Sequence, residues 1–197
     1  ASAVITDTTS GDVLACVSYP GYDNNRLTNN MDTDYYAKLS TDLSSPFFNK
    51  ATQQRTAPGS TLKILSTVAG MSEGVIDDCT YIECTGSFDL VTPPINCWNK
   101  QGHGALDIRG AIEQSCNVFF STIGFELGKD SEGNFSEARS LGMLQKYASL
   151  MGLDKKTGIE ISEASPQISD KNAVPSYMGQ GTNMLTTSQL ARYASTI

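Results

Sequence analysis

Thr56-Ala57-Pro58-Gly59-Ser60-Thr61-Leu62-Lys63 is the stretch from which the rest of the sequence can be interpreted. Pro58 and Gly59 interrupt regular structure, and the residues after them repeat apolar side chains at helical spacing. Ser60 and Lys63 are three positions apart at the start of this predicted helix, so their side chains leave one face. A serine beside an amine that can take its proton is a nucleophile with its base. Because a chain of this length contains Ser-x-x-Lys about once by chance, the pair needs support from the other residues.

Composition limits the classes of protein that this chain can represent. Its 197 residues are enough for one domain with a core or for part of a larger one, and 39% of them are hydrophobic. A net charge of −7 without any basic run argues against a nucleic-acid partner. No apolar run approaches the roughly 20 residues that span a membrane, and the chain opens on a strand-like run rather than a signal peptide. The protein is therefore cytosolic, or an export segment precedes this sequence.

Apolar spacing and turn residues predict an α+β fold. Residues 3–7 and 13–18 are predicted to form a β-hairpin around a turn-rich connection, and the polar residues 19–48 a long excursion with little regular structure. Residues 79–104 are predicted to be a loop region. Helices are predicted at 60–72, 108–114 after an Asp107 cap, 118–127, from a Ser136 cap to Gly152, and 187–197.

Two motifs in this order resemble those of the penicillin-binding proteins, the serine D,D-transpeptidases of cell-wall synthesis. They are Pro58 to Lys63 and Ser115-Cys116-Asn117. Other segments fit in sequence: Thr9-Ser10-Gly11-Asp12, Asn49-Lys50-Ala51, Gly102-His103-Gly104, Thr157-Gly158-Ile159 and Gly179-Gln180-Gly181. The resemblance covers essentially the whole chain and is greatest to the class B, elongation-type group called penicillin-binding protein 2. It implies the penicillin-binding transpeptidase and serine β-lactamase-like fold, in which a helical cluster packs against an antiparallel sheet.

The resemblance also implies a role for each motif residue. Ser60 would attack the D-Ala-D-Ala carbonyl and carry the acyl group, and its backbone N–H would form half of the oxyanion hole. Lys63 would be the general base, which requires a neutral amine. Ser115 would relay the proton towards the leaving amine, and Asn117 would hold the substrate amide. Each motif taken alone also has an interpretation without catalysis. Ser60 and Lys63 could be solvated residues at the start of a core helix, and Ser115 and Asn117 could belong to an ordinary turn between helices.

The family's third motif, Lys-Thr-Gly, has a misleading match at Lys156-Thr157-Gly158. This stretch precedes Gly179-Gln180-Gly181, which the third motif should follow, and it is more similar to the family's Thr-Gly-Ile segment. Lys156 is therefore left out of the site. The third motif would then follow Ile197, so residues 1–197 are expected to be a partial transpeptidase domain that lacks the C-terminal strands and helix.

Three cysteines and the only histidine form a second candidate site. Cys84, Cys97, His103 and Cys116 are spaced C-x12-C-x5-H-x12-C, a ligand set that suits a closed structural zinc site. The resemblance implies the same for part of this set, since some members of the penicillin-binding protein 2 group carry a zinc site at the positions that match Cys97, His103 and Cys116. Two alternatives stay open, a Cys84–Cys97 disulfide in an exported domain and free thiols with His103 packed in a loop.

Three functions remain to be distinguished. The first is a D,D-transpeptidase that is acylated by stem peptides and β-lactams, the second a penicillin-recognising sensor module without turnover, and the third a serine β-lactamase. No glutamate-containing deacylation motif of a β-lactamase can be assigned, and the long excursion over residues 19–48 and the Gly102-His103-Gly104 segment also fit a transpeptidase better than a β-lactamase. The resemblance implies that peptidoglycan stem peptides and β-lactams are ligands. It also implies that the full-length protein is membrane-anchored in a cell-wall synthesis complex, with this segment on the extracytoplasmic face.

Overall fold

The computed structural model describes all 197 residues and contains seven α-helices and six short strands. Two further segments, Asn24–Arg26 and Gly59–Leu62, are 3₁₀ turns. None of the helices is both long and apolar enough to cross a membrane. In chain order the elements are β1 (Ser2–Thr6), β2 (Val13–Ser18), α1 (Thr33–Thr41), α2 (Lys63–Ser72), β3 (Ile82–Cys84), β4 (Ser87–Phe88), β5 (Ile95–Asn96), β6 (Gly104–Leu106), α3 (Ile108–Glu113), α4 (Asn117–Leu127), α5 (Glu137–Leu150), α6 (Ala173–Ser176) and α7 (Thr187–Ala194).

The chain divides into two compact units. The first unit contains Ala1–Arg55, Lys155–Pro166 and Leu185–Ile197, and the second contains Thr56–Asp154 and Gln167–Met184. The predicted hairpin is confirmed in the first unit. There β1 pairs antiparallel with β2 from Ser2 opposite Ser18, with an irregularity between Ile5 and Thr6. Helix α7 packs against β1 and begins at a capping box between Thr186 and Gln189.

Helix α1 corrects the prediction for residues 19–48, which expected little regular structure. Its N-cap is Asp32, whose carboxylate accepts a hydrogen bond from the backbone N–H of Tyr35 at 2.9 Å. The guanidinium of Arg26 also binds this carboxylate, at 2.5 Å. Leu39 is the only buried residue of the helix, so its sequence carries little apolar periodicity. A local cap rather than an apolar face therefore marks this helix.

The second unit is built around α4, an almost wholly apolar helix. Seven of its eleven residues are buried, and it contacts α2, α5 and α6. Burial on several sides is what an apolar helix requires, since it offers no face to water. Its first residue is Asn117, so the core helix of this unit begins at the second motif.

The sequence predicted a loop for residues 79–104, but the structure has strands β3, β4 and β5 there, and β6 begins at the last of these residues. Strand β3 pairs with β6 and β4 pairs with β5, both antiparallel. Each strand has only two or three residues, which is too short for an alternating apolar pattern to be visible in the sequence. The prediction of a loop is wrong for these residues, and the two small ladders fix the positions of the segments between them.

Candidate active site and metal centre

Ser60 lies on a tight 3₁₀ turn that leads into α2, and its side chain is exposed. The turn begins at Gly59, which has a φ of +60°, and the hydroxyl of Thr61 closes it by donating to the carbonyl of Pro58 at 2.8 Å. The 3₁₀ turn differs from the regular α-helix predicted from Ser60 onwards. It places the serine at the open end of α2, where N–H groups are directed outward.

Gly179 holds this turn from the opposite side. Its carbonyl accepts the N–H of Gly59 at 3.0 Å, and its own φ is +73°. A Cβ at Gly179 would lie 2.0 Å from the carbonyl oxygen of Gly59, so only glycine allows this approach. The sequence identified Gly179-Gln180-Gly181 as a tight backbone element, but nothing in it indicated that the partner is the turn of Ser60.

Lys63 is the first residue of α2 and is only 3% exposed. Its Nζ donates to the carbonyl of Ser115 at 2.7 Å, to the hydroxyl of Ser115 at 3.0 Å and to Oδ1 of Asn117 at 2.9 Å. Burial lowers the pKa of this amine, and the thiols of Cys116 and Cys97 oppose that effect when they are ionised. The structure therefore provides what a general base needs, an amine that loses its proton more easily than an exposed lysine does.

Ser115 connects the two residues of the first motif. Its Oγ is 3.0 Å from the Oγ of Ser60 and 3.0 Å from the Nζ of Lys63. It follows α3 in the left-handed region, with a φ of +48°, which is unusual for a residue with a side chain. The three residues thus form a continuous hydrogen-bonded chain, with Ser115 in the middle.

Asn117 fastens the first turn of α4 to the neighbouring segments. Its Oδ1 accepts from Lys63, and its Nδ2 donates to the carbonyl of Asn96 in β5 at 3.1 Å. An amide nitrogen carries two hydrogens, so one N–H can still bind a substrate carbonyl. All four predicted catalytic residues lie together in the second unit. The Lys156-Thr157-Gly158 stretch belongs to the first unit, where Glu163 binds the N–H and hydroxyl of Thr157.

The four predicted metal ligands also come together. Their ligand atoms all lie within 4.8 Å of one another, and the three cysteines are buried. The Nδ1 of His103 is 3.4 Å from the sulfur of Cys84 and 3.6 Å from that of Cys97, and the sulfurs of Cys97 and Cys116 are 4.0 Å apart. A tetrahedral zinc with Zn–S of about 2.3 Å and Zn–N of about 2.0 Å requires roughly 3.6 Å between nitrogen and sulfur and 3.8 Å between sulfurs. The donors therefore fit a zinc ion.

The surroundings of the Cys97 thiol also favour this fit, whereas those of the Cys116 thiol oppose it. Burial would raise the pKa of Cys97, but backbone N–H groups, led by that of Asn117, lower it overall and so favour the thiolate that binds metal. Without a metal, burial raises the pKa of Cys116 to about 12. All five cysteines are unpaired, so the alternative of a Cys84–Cys97 disulfide is not what the structure forms. Close packing of Gly102 against the carbonyl of Cys84, which a Cβ would approach to 2.1 Å, brings these loops together.

Two of the four candidate metal ligands, Cys97 and Cys116, also border the predicted catalytic residues. Cys116 lies between Ser115 and Asn117 and is the N-cap of α4. Cys97 directly follows Asn96, whose carbonyl binds Asn117. Trp98 comes next, and its indole donates to the carbonyl of Gln114 at 2.8 Å, a contact that the sequence did not predict. The candidate metal ligands and the second motif are therefore parts of one local structure.

Known proteins resemble this chain in sequence. Residues 1–197 match the family model described as the penicillin binding protein transpeptidase domain. Peptidoglycan D,D-transpeptidase MrdA from Haemophilus influenzae is 34% identical over 164 residues, which are 82% of this chain and 23% of that protein. The MrdA of Escherichia coli K12 is 32% identical over 165 residues. The chain spans about a quarter of the length of these two relatives.

Solved structures share the fold. Penicillin-binding protein 2 from Pseudomonas aeruginosa aligns with a TM-score of 0.87 at 24% identity, over 98% of this chain and 43% of that one. A chain from a peptidoglycan synthase complex that coordinates polymerization and crosslinking aligns with a TM-score of 0.84 at 26% identity, over 99% of this chain and 34% of that one. The α+β fold predicted from the sequence is confirmed. The chain belongs to the family of penicillin-binding protein transpeptidase domains.

Proposed function

We propose that this chain carries the nucleophile of a peptidoglycan D,D-transpeptidase, which crosslinks stem peptides and is acylated by β-lactams. The observation that supports this most is the position of the Ser115 hydroxyl, 3.0 Å from both the Oγ of Ser60 and the Nζ of Lys63. An exposed serine is thereby joined to a buried amine through one hydroxyl. Such a chain can carry a proton away from the serine as it attacks a carbonyl.

The first half-reaction would acylate Ser60. Its Oγ attacks the carbonyl carbon between the two D-alanines, with the Ser60 N–H stabilising the oxyanion, and its proton passes through Ser115 to neutral Lys63. Hydroxyl groups rotate, so Ser60 can donate to Ser115 while Ser115 donates to Lys63. The C–N bond then breaks, the proton moves from Lys63 through Ser115 to the departing amine, and the ester on Ser60 remains.

The second half-reaction would transfer the acyl group. The amine of a second stem peptide attacks the ester carbonyl and forms the crosslinking amide. Its proton returns along the same chain, and Ser60 leaves as the free hydroxyl. In a β-lactam the departing nitrogen stays tethered to the acyl group after the ring opens, so the ester should persist. This persistence is what makes a β-lactam a label for Ser60.

A penicillin adduct followed by intact mass tests this proposal. The full-length protein is expected to form an adduct that lasts for many minutes and to crosslink stem peptides in a separate assay. Rapid loss of the adduct would instead indicate a β-lactamase. A lasting adduct without any crosslinking would indicate the sensor module. If the folded wild-type protein forms no adduct, Ser60 is not an acylated nucleophile.

We also propose that Cys84, Cys97, His103 and Cys116 hold a structural zinc ion. Four protein ligands leave no open coordination position, so the ion would stabilise the loops around the second motif and would not activate water. The support is the match between the donor distances and a tetrahedral zinc site. Metal analysis of protein purified without chelator should find about one zinc per chain. A folded protein without zinc would exclude it.

The location and partners of the full-length protein follow from the same proposal. Peptidoglycan lies outside the cytoplasmic membrane, so this segment would work on the extracytoplasmic face of a membrane-anchored protein. The likeness to a chain from a peptidoglycan synthase complex supports work within a cell-wall synthesis complex. Fractionation of cells should recover the full-length protein with the membrane. Protease added to the outside of cells whose outer layers have been made permeable should digest this segment.

A further inference from the structure

Trp98 is a large side chain that is well exposed and yet anchored. Its exposed fraction is 63%, while its indole Nε1 donates to the carbonyl of Gln114 at 2.8 Å. The ring also packs edge-on against His103, with 5.0 Å between the ring centres. Gln114 immediately precedes Ser115, so the indole binds the peptide group that leads into the second motif.

That peptide group helps to determine the backbone angle of Ser115. Gln114 is the C-cap of α3, and the last carbonyls of a helix lack partners within it. The orientation of the peptide before Ser115 relates to its φ, and the orientation of the peptide after it to its ψ. Trp98 holds the first carbonyl and Lys63 holds the second, at 2.7 Å. Both peptide groups around this left-handed residue are thus held from outside.

The left-handed conformation has a cost that these contacts offset. A residue with a side chain is disfavoured at a φ of +48° relative to an extended or helical backbone. If the first carbonyl is released, the peptide can turn and carry the Ser115 hydroxyl out of line with Ser60. Asn96, two residues before Trp98, acts in the same direction, since its carbonyl accepts a hydrogen bond from the side chain of Asn117.

We propose that Trp98 is a positioning residue for Ser115, whose indole N–H keeps the Ser115 hydroxyl between Ser60 and Lys63. This inference rests on the proposed function, because its readout is acylation of Ser60. It assigns the effect to the N–H group and not to the exposed ring. A ring that contacts the ligand would affect binding, whereas a group that orients Ser115 affects the rate of the chemical step.

Trp98→Phe tests this, since it removes the N–H and keeps an aromatic ring. Acylation of the full-length protein is measured at increasing concentrations of a fluorescent penicillin, which separates the dissociation constant K of the non-covalent complex from the acylation rate constant k2. We expect k2 to fall about tenfold, in line with the loss of one hydrogen bond, while K changes by less than about twofold. Leu90→Ala is the matched control, because Leu90 is equally exposed, at 63%, in the same unit.

A double-mutant cycle distinguishes positioning from general damage. In a Ser115→Ala background there is no hydroxyl to position, so Trp98→Phe should change k2 by less than about twofold. A tenfold loss that persists in this background would overturn the proposal, as would an unchanged k2 in the single variant. A rise in K at constant k2 would also overturn it and make the ring a ligand contact. If the wild type is acylated and Trp98→Phe has the same k2, only this inference is rejected. If the wild type is never acylated, the proposed function is rejected.

Discussion

Replacement of Gly179 by alanine should displace the 3₁₀ turn that bears Ser60, although the two residues are far apart in sequence. The carbonyl of Gly179 accepts the N–H of Gly59, next to the nucleophile, and the two backbones are in close contact. A Cβ at Gly179 would lie 2.0 Å from the oxygen of Gly59 and 2.6 Å from its nitrogen. The new methyl group can be accommodated only if the turn that bears Ser60 moves away.

The size of the effect follows from two contributions. A side chain at a φ of +73° costs about 1–2 kcal/mol. Relief of the overlap requires a shift of about 1 Å, which breaks the Gly59–Gly179 hydrogen bond and costs about 1 kcal/mol more. We therefore expect the free energy of unfolding to fall by about 2–3 kcal/mol. A displacement of about 1 Å at the nucleophile should also slow acylation about 100-fold.

Gly74→Ala is the control for backbone strain alone. Gly74 has a φ of +70°, but a Cβ there would meet nothing within 4 Å. This variant should lose only the backbone contribution of about 1–2 kcal/mol and keep its acylation rate. Urea unfolding and penicillin acylation of both variants provide the comparison. If Gly179→Ala and Gly74→Ala lose equal stability and are acylated equally fast, the contact between Gly179 and Gly59 does not hold the Ser60 turn in place.

Three further predictions follow from the site. Lys63→Met should reduce the acylation rate by about 100-fold or more, because it removes the base, and a rate near that of wild type would exclude Lys63 from this role. Because burial lowers the pKa of Lys63 below its ordinary 10.5, the neutral amine forms at lower pH than in an exposed lysine. Acylation should therefore speed up as pH rises through the lowered pKa, and a rate in the folded protein that shows no rise at any pH below 10.5 would contradict an amine base. Cys116→Ser should lower the zinc content and the midpoint of thermal unfolding, whereas Cys79→Ser, at an exposed cysteine, should change neither, and equal zinc in both would reject the site.

The sequence predicted the elements that carry a strong local signal. The hairpin has turn residues between two apolar runs, and α4 is apolar along almost its whole length, so both were predicted near their observed bounds. Helix α1 was missed because only Leu39 is buried. Strands β3 to β6 were missed because segments of two or three residues have no readable period.

The candidate site shows a similar division. Short motifs pointed to Ser60, Lys63, Ser115 and Asn117, and the structure brings these side chains together. The contacts that hold them come from backbone groups far away in sequence, such as the carbonyls of Gly179 and Asn96. No residue type identifies the partner of a backbone carbonyl, so Trp98 could not be connected with Ser115 from the sequence. Only the fold supplies that connection.

The central claim, that Ser60 is the acylated nucleophile, is tested most directly by locating the penicillin adduct in the full-length protein. After digestion, mass spectrometry of the fragments should find the adduct on Ser60. Ser60→Ala should abolish it, and Ser72→Ala, at the exposed end of α2, should retain it. An adduct on another residue, or one that survives in the folded Ser60→Ala variant, would contradict the account.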